Sequence, residues 1–138
     1  MNVETLPALT VCQPYADLIA HGVKLIENRV WRTAYRGPLV IHAGKSRAWM
    51  PADIEAKYRR QGYELRRGVL SCVVEVVDCV RVEALPERLK DHDHAFGPWC
   101  WLLENPRILY PLEVKGAQGM WRIDRRVVDG QRVTHAGS

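Results

Sequence analysis

The stretch from Gly68 to Glu83, GVLSCVVEVVDCVRVE, is the longest strand-like run in the chain. Valine dominates it, and a β-branched side chain fits a pleated, half-buried surface better than a helix. A run of this length bends or bulges somewhere, and Asp78 is the expected place. Alternation puts Glu75 on one face with Val73 and Val77, opposite Val74 and Val76. Two readings of Glu75 stay open. On a one-sided sheet it points harmlessly outward; in an apolar wall its carboxylate needs a partner or a shifted pKa, which is common at functional sites.

Working outward, residues 8–12 and 39–43 read as short buried strands, and 25–29 as an extended segment. Further strands are expected at 99–103, 107–114 and 120–123, interrupted at Asn105-Pro106 and Pro111. Pro14 and Gly22 bound one helix; Pro51 opens a second that runs to about Gln61, with Ile54 and Tyr58 on one face. Five or six strands with two helices and many turn residues give an α+β class: a small mixed sheet or β-barrel with flanking helices. At 138 residues the chain is read as one domain, with its core over about 8–123 and a polar tail over 124–138 whose last residues are loose.

The composition, 47% hydrophobic and 26% charged, excludes disordered and collagen-like chains. No apolar run approaches the ~20 residues of a membrane helix. The N-terminus lacks a signal-peptide pattern, so a cytoplasmic location is expected. Cys12, Cys72, Cys79 and Cys100 form no C-x-x-C pair and read as small buried hydrophobes. Asp91-His92-Asp93-His94 lacks the further spaced ligands of a metal centre and reads as a solvated loop. No metal or cofactor is expected, and monomer is the default oligomeric state. Net charge is +4, which permits a nucleic-acid partner without requiring one.

The densest polar constellation is Lys24, Glu27, Arg29, Trp31, Arg32, Tyr35 and Arg36. In an extended chain Leu25, Glu27 and Arg29 share a face, and Ile26 and Asn28 take the other. Those charges either lie on a solvated strand or form a polar cleft, because an unpaired buried charge is costly. His42 and Lys45 adjoin the basic turn Gly44–Arg47, which suits phosphate contact but lacks P-loop spacing. Of Trp31, Trp49, Trp99, Trp101 and Trp121, most belong to the core, and one or two beside arginines suit stacking on a base.

Several of these motifs together resemble the ASCH domain of the PUA-like superfamily. They are Gln13-Pro14-Tyr15-Ala16, Gly22-x-Lys24-x-x-Glu27-x-Arg29, Trp31-x-Thr33-x-Tyr35-Arg36-Gly37, Phe96-Gly97-Pro98 and Gly116-x-x-Gly119-x-Trp121. The resemblance implies a PUA-like β-barrel with a ligand cleft at its mouth and an association with RNA. The expected function is binding of RNA or a nucleotide-like ligand. Lys24, Arg29, Arg36 and Lys45 would contact phosphate, Glu27 and Gln13 would read a base edge, and Tyr15 or Trp31 would stack, with His42 nearby. The alternative is a hydrolase of a modified nucleoside such as N(4)-acetylcytidine, with Lys24, Glu27 and Glu75 as its catalytic group, or a ribonuclease. Glu27 stands where such amidohydrolases carry threonine, and a carboxylate is the poorer nucleophile toward an amide.

Overall fold

The computed structural model describes residues 3–48 and 50–133. Trp49 and the final residues His135–Ser138 therefore lie outside the described part, as does the expectation that the terminus is loose. The elements, in chain order, are β1 (Thr5–Val11), α1 (Tyr15–Ala20), β2 (Ile26–Arg29), β3 (Gly37–Ala43), α2 (Ala52–Arg60) and β4 (Val69–Arg81). Two single-turn 3-10 helices follow, Val82–Ala84 and Glu87–Leu89, then β5 (Trp99–Ile108), β6 (Met120–Asp124) and α3 (Arg125–Asp129).

All six strands join one sheet in the order β2-β5-β4-β3-β1-β6. The β1/β3 pair is parallel; the β1/β6, β2/β5, β3/β4 and β4/β5 pairs are antiparallel. The fold is thus α+β with a mixed sheet. Its backbone ladder stays open, ending at β2 on one side and β6 on the other. β4 pairs on both edges, and its register against β5 shifts twice, between Val73 and Glu75 and between Val76 and Asp78. The second shift is the bend expected at Asp78. It returns Cys79 to the same apolar cluster as Val76 although the two are three residues apart.

Both sheet faces are covered. On one, Leu9, Ile41, Val74, Val76 and Trp101 pack with Ile19 of α1. On the other, Ala8, Val40, Leu70, Val73 and Ile123 pack with Val128 of α3. Ile26, Cys100 and Leu102 form a third cluster with Leu85 and Leu89 near the 3-10 turns. Each fully buried Leu or Ile contributes about 1.5–3 kcal/mol from water exclusion.

The structure departs from the sequence expectation at four places. β5 runs on through Asn105-Pro106, which bulge out between the Glu75–Glu104 and Val73–Arg107 pairs, with Asn105 in a left-handed conformation (φ 52°). The strand expected at 107–114 ends at Ile108, and the chain then loops through two isolated bridges, Leu109 to Arg132 and Val69 to Glu113. The segment after Asp124, expected as a polar tail, begins with α3, whose first turn is capped by the Asp124 carboxylate accepting from the Arg126 amide at 2.8 Å. α2 buries no residue, so Ile54 and Tyr58 do not form a core face.

Candidate polar cleft

β2 is four residues long and sits at the sheet edge, paired with β5 alone. Glu27 is 6% exposed and Lys24 4% exposed. A carboxylate taken out of water at an edge needs strong partners, and Glu27 has two. The Lys24 ammonium donates to Oε1 at 2.7 Å, and Arg29 Nε donates to Oε2 at 2.9 Å. Lys24 Nζ also donates to the Ile26 carbonyl. Arg29 Nη2 donates to the Thr10 carbonyl at 3.2 Å. That last bond ties edge strand β2 to β1 by a side chain where no backbone ladder does.

Oε2 faces both Nε and Nη2 of Arg29 at 2.9 Å, while Oε1 has Lys24 as its one cationic partner and retains a second lone pair. The group therefore carries two cations against one anion. It lies in the wall of a cavity of about 680 Å³ whose lining also includes Tyr15, Asn28, His94 and Phe96. The Lys24 ammonium stands 6.0 Å from the Tyr15 ring centroid, and the Tyr15 ring meets His94 edge-on at 6.2 Å. Burial pushes the Tyr15 hydroxyl above its ordinary pKa, with the Cys12 thiol adding to the effect. Burial likewise raises the Cys12 thiol, and the Glu27 carboxylate raises it further.

Asn28, on the opposite face of β2 from Glu27, shapes the rim. Its Nδ2 donates to the His94 carbonyl at 2.8 Å, and its Oδ1 accepts from the Phe96 and Gly97 amides at 2.9 and 2.8 Å. Phe96, held by this clamp, is 71% exposed at the cavity mouth. His92 is no free surface group, contrary to the solvated loop expected there: its Nε2 accepts from the Leu25 amide at 3.1 Å. Burial lowers the pKa of both His92 and His94, and the Lys24 charge contributes to each. Among the described residues no cluster of His, Cys, Asp or Glu is arranged to hold a metal ion.

A model of the ASCH domain matches residues 9–118, which is most of the chain and all of this cleft's polar group. The chain belongs to the ASCH domain family. It is 27% identical over 139 aligned positions to activating signal cointegrator 1 of Homo sapiens and of Mus musculus. The alignment covers 90% of this ASCH chain but only 23% of those proteins' length. Its fold is similar to the crystal structure of ASCH from Zymomonas mobilis, with a TM-score of 0.52, 12% identity, and coverage of 87% and 88% of the two chains. A tyrosine-to-phenylalanine mutant of the Zymomonas mobilis protein superposes with a TM-score of 0.56 at 12% identity, over 91% and 97%.

Within this ASCH chain the residues singled out from sequence do not all meet. Lys24, Glu27, Arg29, Tyr15 and Lys45 line the one cavity. Glu75 does not: it is paired with Arg107 at 2.9 Å, partly exposed, on the β4 face that carries Val73. Gln13 is buried and structural, holding Asp17 and the Arg66 carbonyl, each at 2.8 Å. Trp31 packs edge-on against Trp101 at 4.8 Å between centroids. Arg36 bonds the Thr33 carbonyl and reaches Asp78 at 3.4 Å. His42 is buried beside a second cavity, its Nε2 2.6 Å from the Val114 carbonyl. Asn28 and His94 were missed by sequence reasoning. The signal for the rim was Phe96-Gly97-Pro98, which marked the loop without saying what it faces.

Proposed function

We propose that this ASCH domain binds a single-stranded RNA or nucleotide-like ligand, seating a base in the cavity beside Glu27. The observation that carries the reading is the buried Lys24–Glu27 pair, joined by half-buried Arg29, in a cavity wall. Burying the Lys24–Glu27 pair at a sheet edge costs stability, and hydrophobic replacements are often neutral or better; retaining it suits a wall that must meet a polar ligand. The spare lone pair of Glu27 Oε1 suits an exocyclic amine such as that of cytosine, and Tyr15 and Phe96 offer ring faces for stacking. The relatives' name, activating signal cointegrator 1, accords with a gene-expression setting at this coarse level.

The hydrolase reading loses its third member, because Glu75 is engaged with Arg107 and lines neither this cavity nor its neighbour. The binding reading is tested by titrating a short cytidine-rich RNA at low salt. Binding that weakens as salt rises and falls at least about tenfold in Glu27→Gln supports it. Absence of binding to RNA and to cytidine overturns it, and release of cytidine from N(4)-acetylcytidine would favour the enzyme instead.

A further inference from the structure

Beyond Lys45 the cleft continues. Thr10, Arg29, Gly44 and Lys45 line both the first cavity and a second one of about 990 Å³. The character of the wall changes across that boundary. The first cavity has a buried carboxylate at its centre; the second is lined by the cationic side chains of Arg29, Lys45, Arg67 and Lys115 against one carboxylate, Glu113.

Two features make this more than a basic surface. Arg67 has a side chain only 8% exposed. Its Nη2 lies 2.7 Å from Glu55 Oε1, while its Nε meets no acceptor. The segment that carries it is fixed, since Gln13 holds the Arg66 carbonyl and Asp17 accepts from the Leu65 amide at 2.9 Å. The opposite wall is the glycine loop at 115–119. Gly116 sits so close to the β1/β3 floor that a Cβ there would stand 2.6 Å from both His42 Nδ1 and Thr10 Oγ1. Gly119 has φ +68° and open space around it. Among the described residues the backbone amides of 115–119 donate to no other backbone group. Uncommitted amides in a tight loop facing fixed cations make an oxyanion cradle.

We infer that the second cavity is a phosphate subsite, formed by Lys45, Lys115, Arg67 and the 115–119 loop. The inference rests on the base-binding reading of the first cavity and deepens it: the ligand is a nucleotide or a phosphodiester-linked residue, not a free nucleoside. Lys45 spans the two cavities, its stem lying over Gly68, where an added Cβ would come within 2.8 Å of Lys45 Cε.

The test is calorimetric titration of the full chain with cytidine, cytidine 3′-monophosphate, cytidine 5′-monophosphate and inorganic phosphate. One monophosphate is expected to bind at least about tenfold tighter than cytidine, as one charge-assisted contact implies. The exposed variant Lys115→Ala, which lies outside the first cavity, reduces that advantage and leaves cytidine binding in place; Glu27→Gln does the converse. Equal affinity for cytidine and both monophosphates overturns the inference, as does an advantage left undiminished in Lys115→Ala. If cytidine and both monophosphates all fail to bind, the base reading falls, and amide shifts at 115–119 on adding millimolar phosphate decide the subsite separately: shifts support it, and none overturns it.

Discussion

Glu27 sits between two cations, Lys24 and Arg29, that offset the cost of its burial. Removing one partner of a buried ion pair leaves the other charge uncompensated, at a cost of about 3–5 kcal/mol. Lys24→Ala is therefore expected to lower the urea-unfolding free energy by that order, while Arg36→Ala, at an exposed pair with Asp78, changes it by less than about 1 kcal/mol. His42 gives a pH signature. Its Nε2 donates to the Val114 carbonyl, so its Nδ1 is the acceptor for the Thr10 hydroxyl at 3.2 Å, and the same hydroxyl accepts from Trp121 Nε1 at 3.1 Å. Burial, opposed by the Val114 bond, holds the His42 pKa below 6.5, and burial does the same at His92 and His94. A depressed folded pKa means the unfolded chain takes up protons first as pH falls. The stability these neutral imidazoles contribute is complete above pH 6.5 and is lost as pH falls through their lower folded values. Urea midpoints measured from about pH 8 to about pH 5 are expected to fall once the pH drops below the ordinary histidine pKa of about 6.5, and His42→Gln flattens the drop. A flat profile in the unsubstituted chain contradicts this assignment.

At the scale of elements, two short loops depend on single side chains. Asn28 makes three hydrogen bonds to the 94–97 segment, and Asn28→Ala leaves two amides and a carbonyl without that partner. A loss of about 1–3 kcal/mol is expected, with faster amide exchange at Phe96 and Gly97. Gly116→Ala forces a methyl group against His42 and Thr10, where nothing yields cheaply, and is expected to cost about 1–3 kcal/mol; chemical shifts of the Trp121 indole N–H report the displacement. These loops also mark where sequence reading stopped. The valine run of β4 and the extended segment around Glu27 and Arg29 were legible, because alternation and β-propensity act locally. Alternation puts Asn28 on the face opposite Glu27, but its hydrogen-bond partners lie 66 to 69 residues away, and no local pattern encodes them. α3 was hidden because a five-residue helix with one buried residue, Val128, has too little periodicity to register.

For the whole molecule, the ladder is open at β2 and β6, yet the Arg29 bond to the Thr10 carbonyl draws the β2 edge toward β1 and leaves a cleft between them. The structure brings only part of the residue group read from sequence to this cleft. Lys24, Glu27 and Arg29 are near neighbours in the chain, so spacing alone grouped them. Glu75 was added through its apolar neighbours, which only showed that β4 is buried on the other face; its partner Arg107 comes from the adjacent strand β5. Charge follows the same geography, since the cleft and its continuation gather Lys24, Arg29, Lys45, Arg67 and Lys115 from separate segments. The most direct test is amide chemical-shift mapping of the full chain with a short cytidine-rich single-stranded RNA. The account predicts shifts concentrated at Tyr15, Lys24, Glu27, Asn28 and Phe96, abolished in Glu27→Gln. Shifts centred on Glu75 and Arg107, or none at low salt, would contradict it.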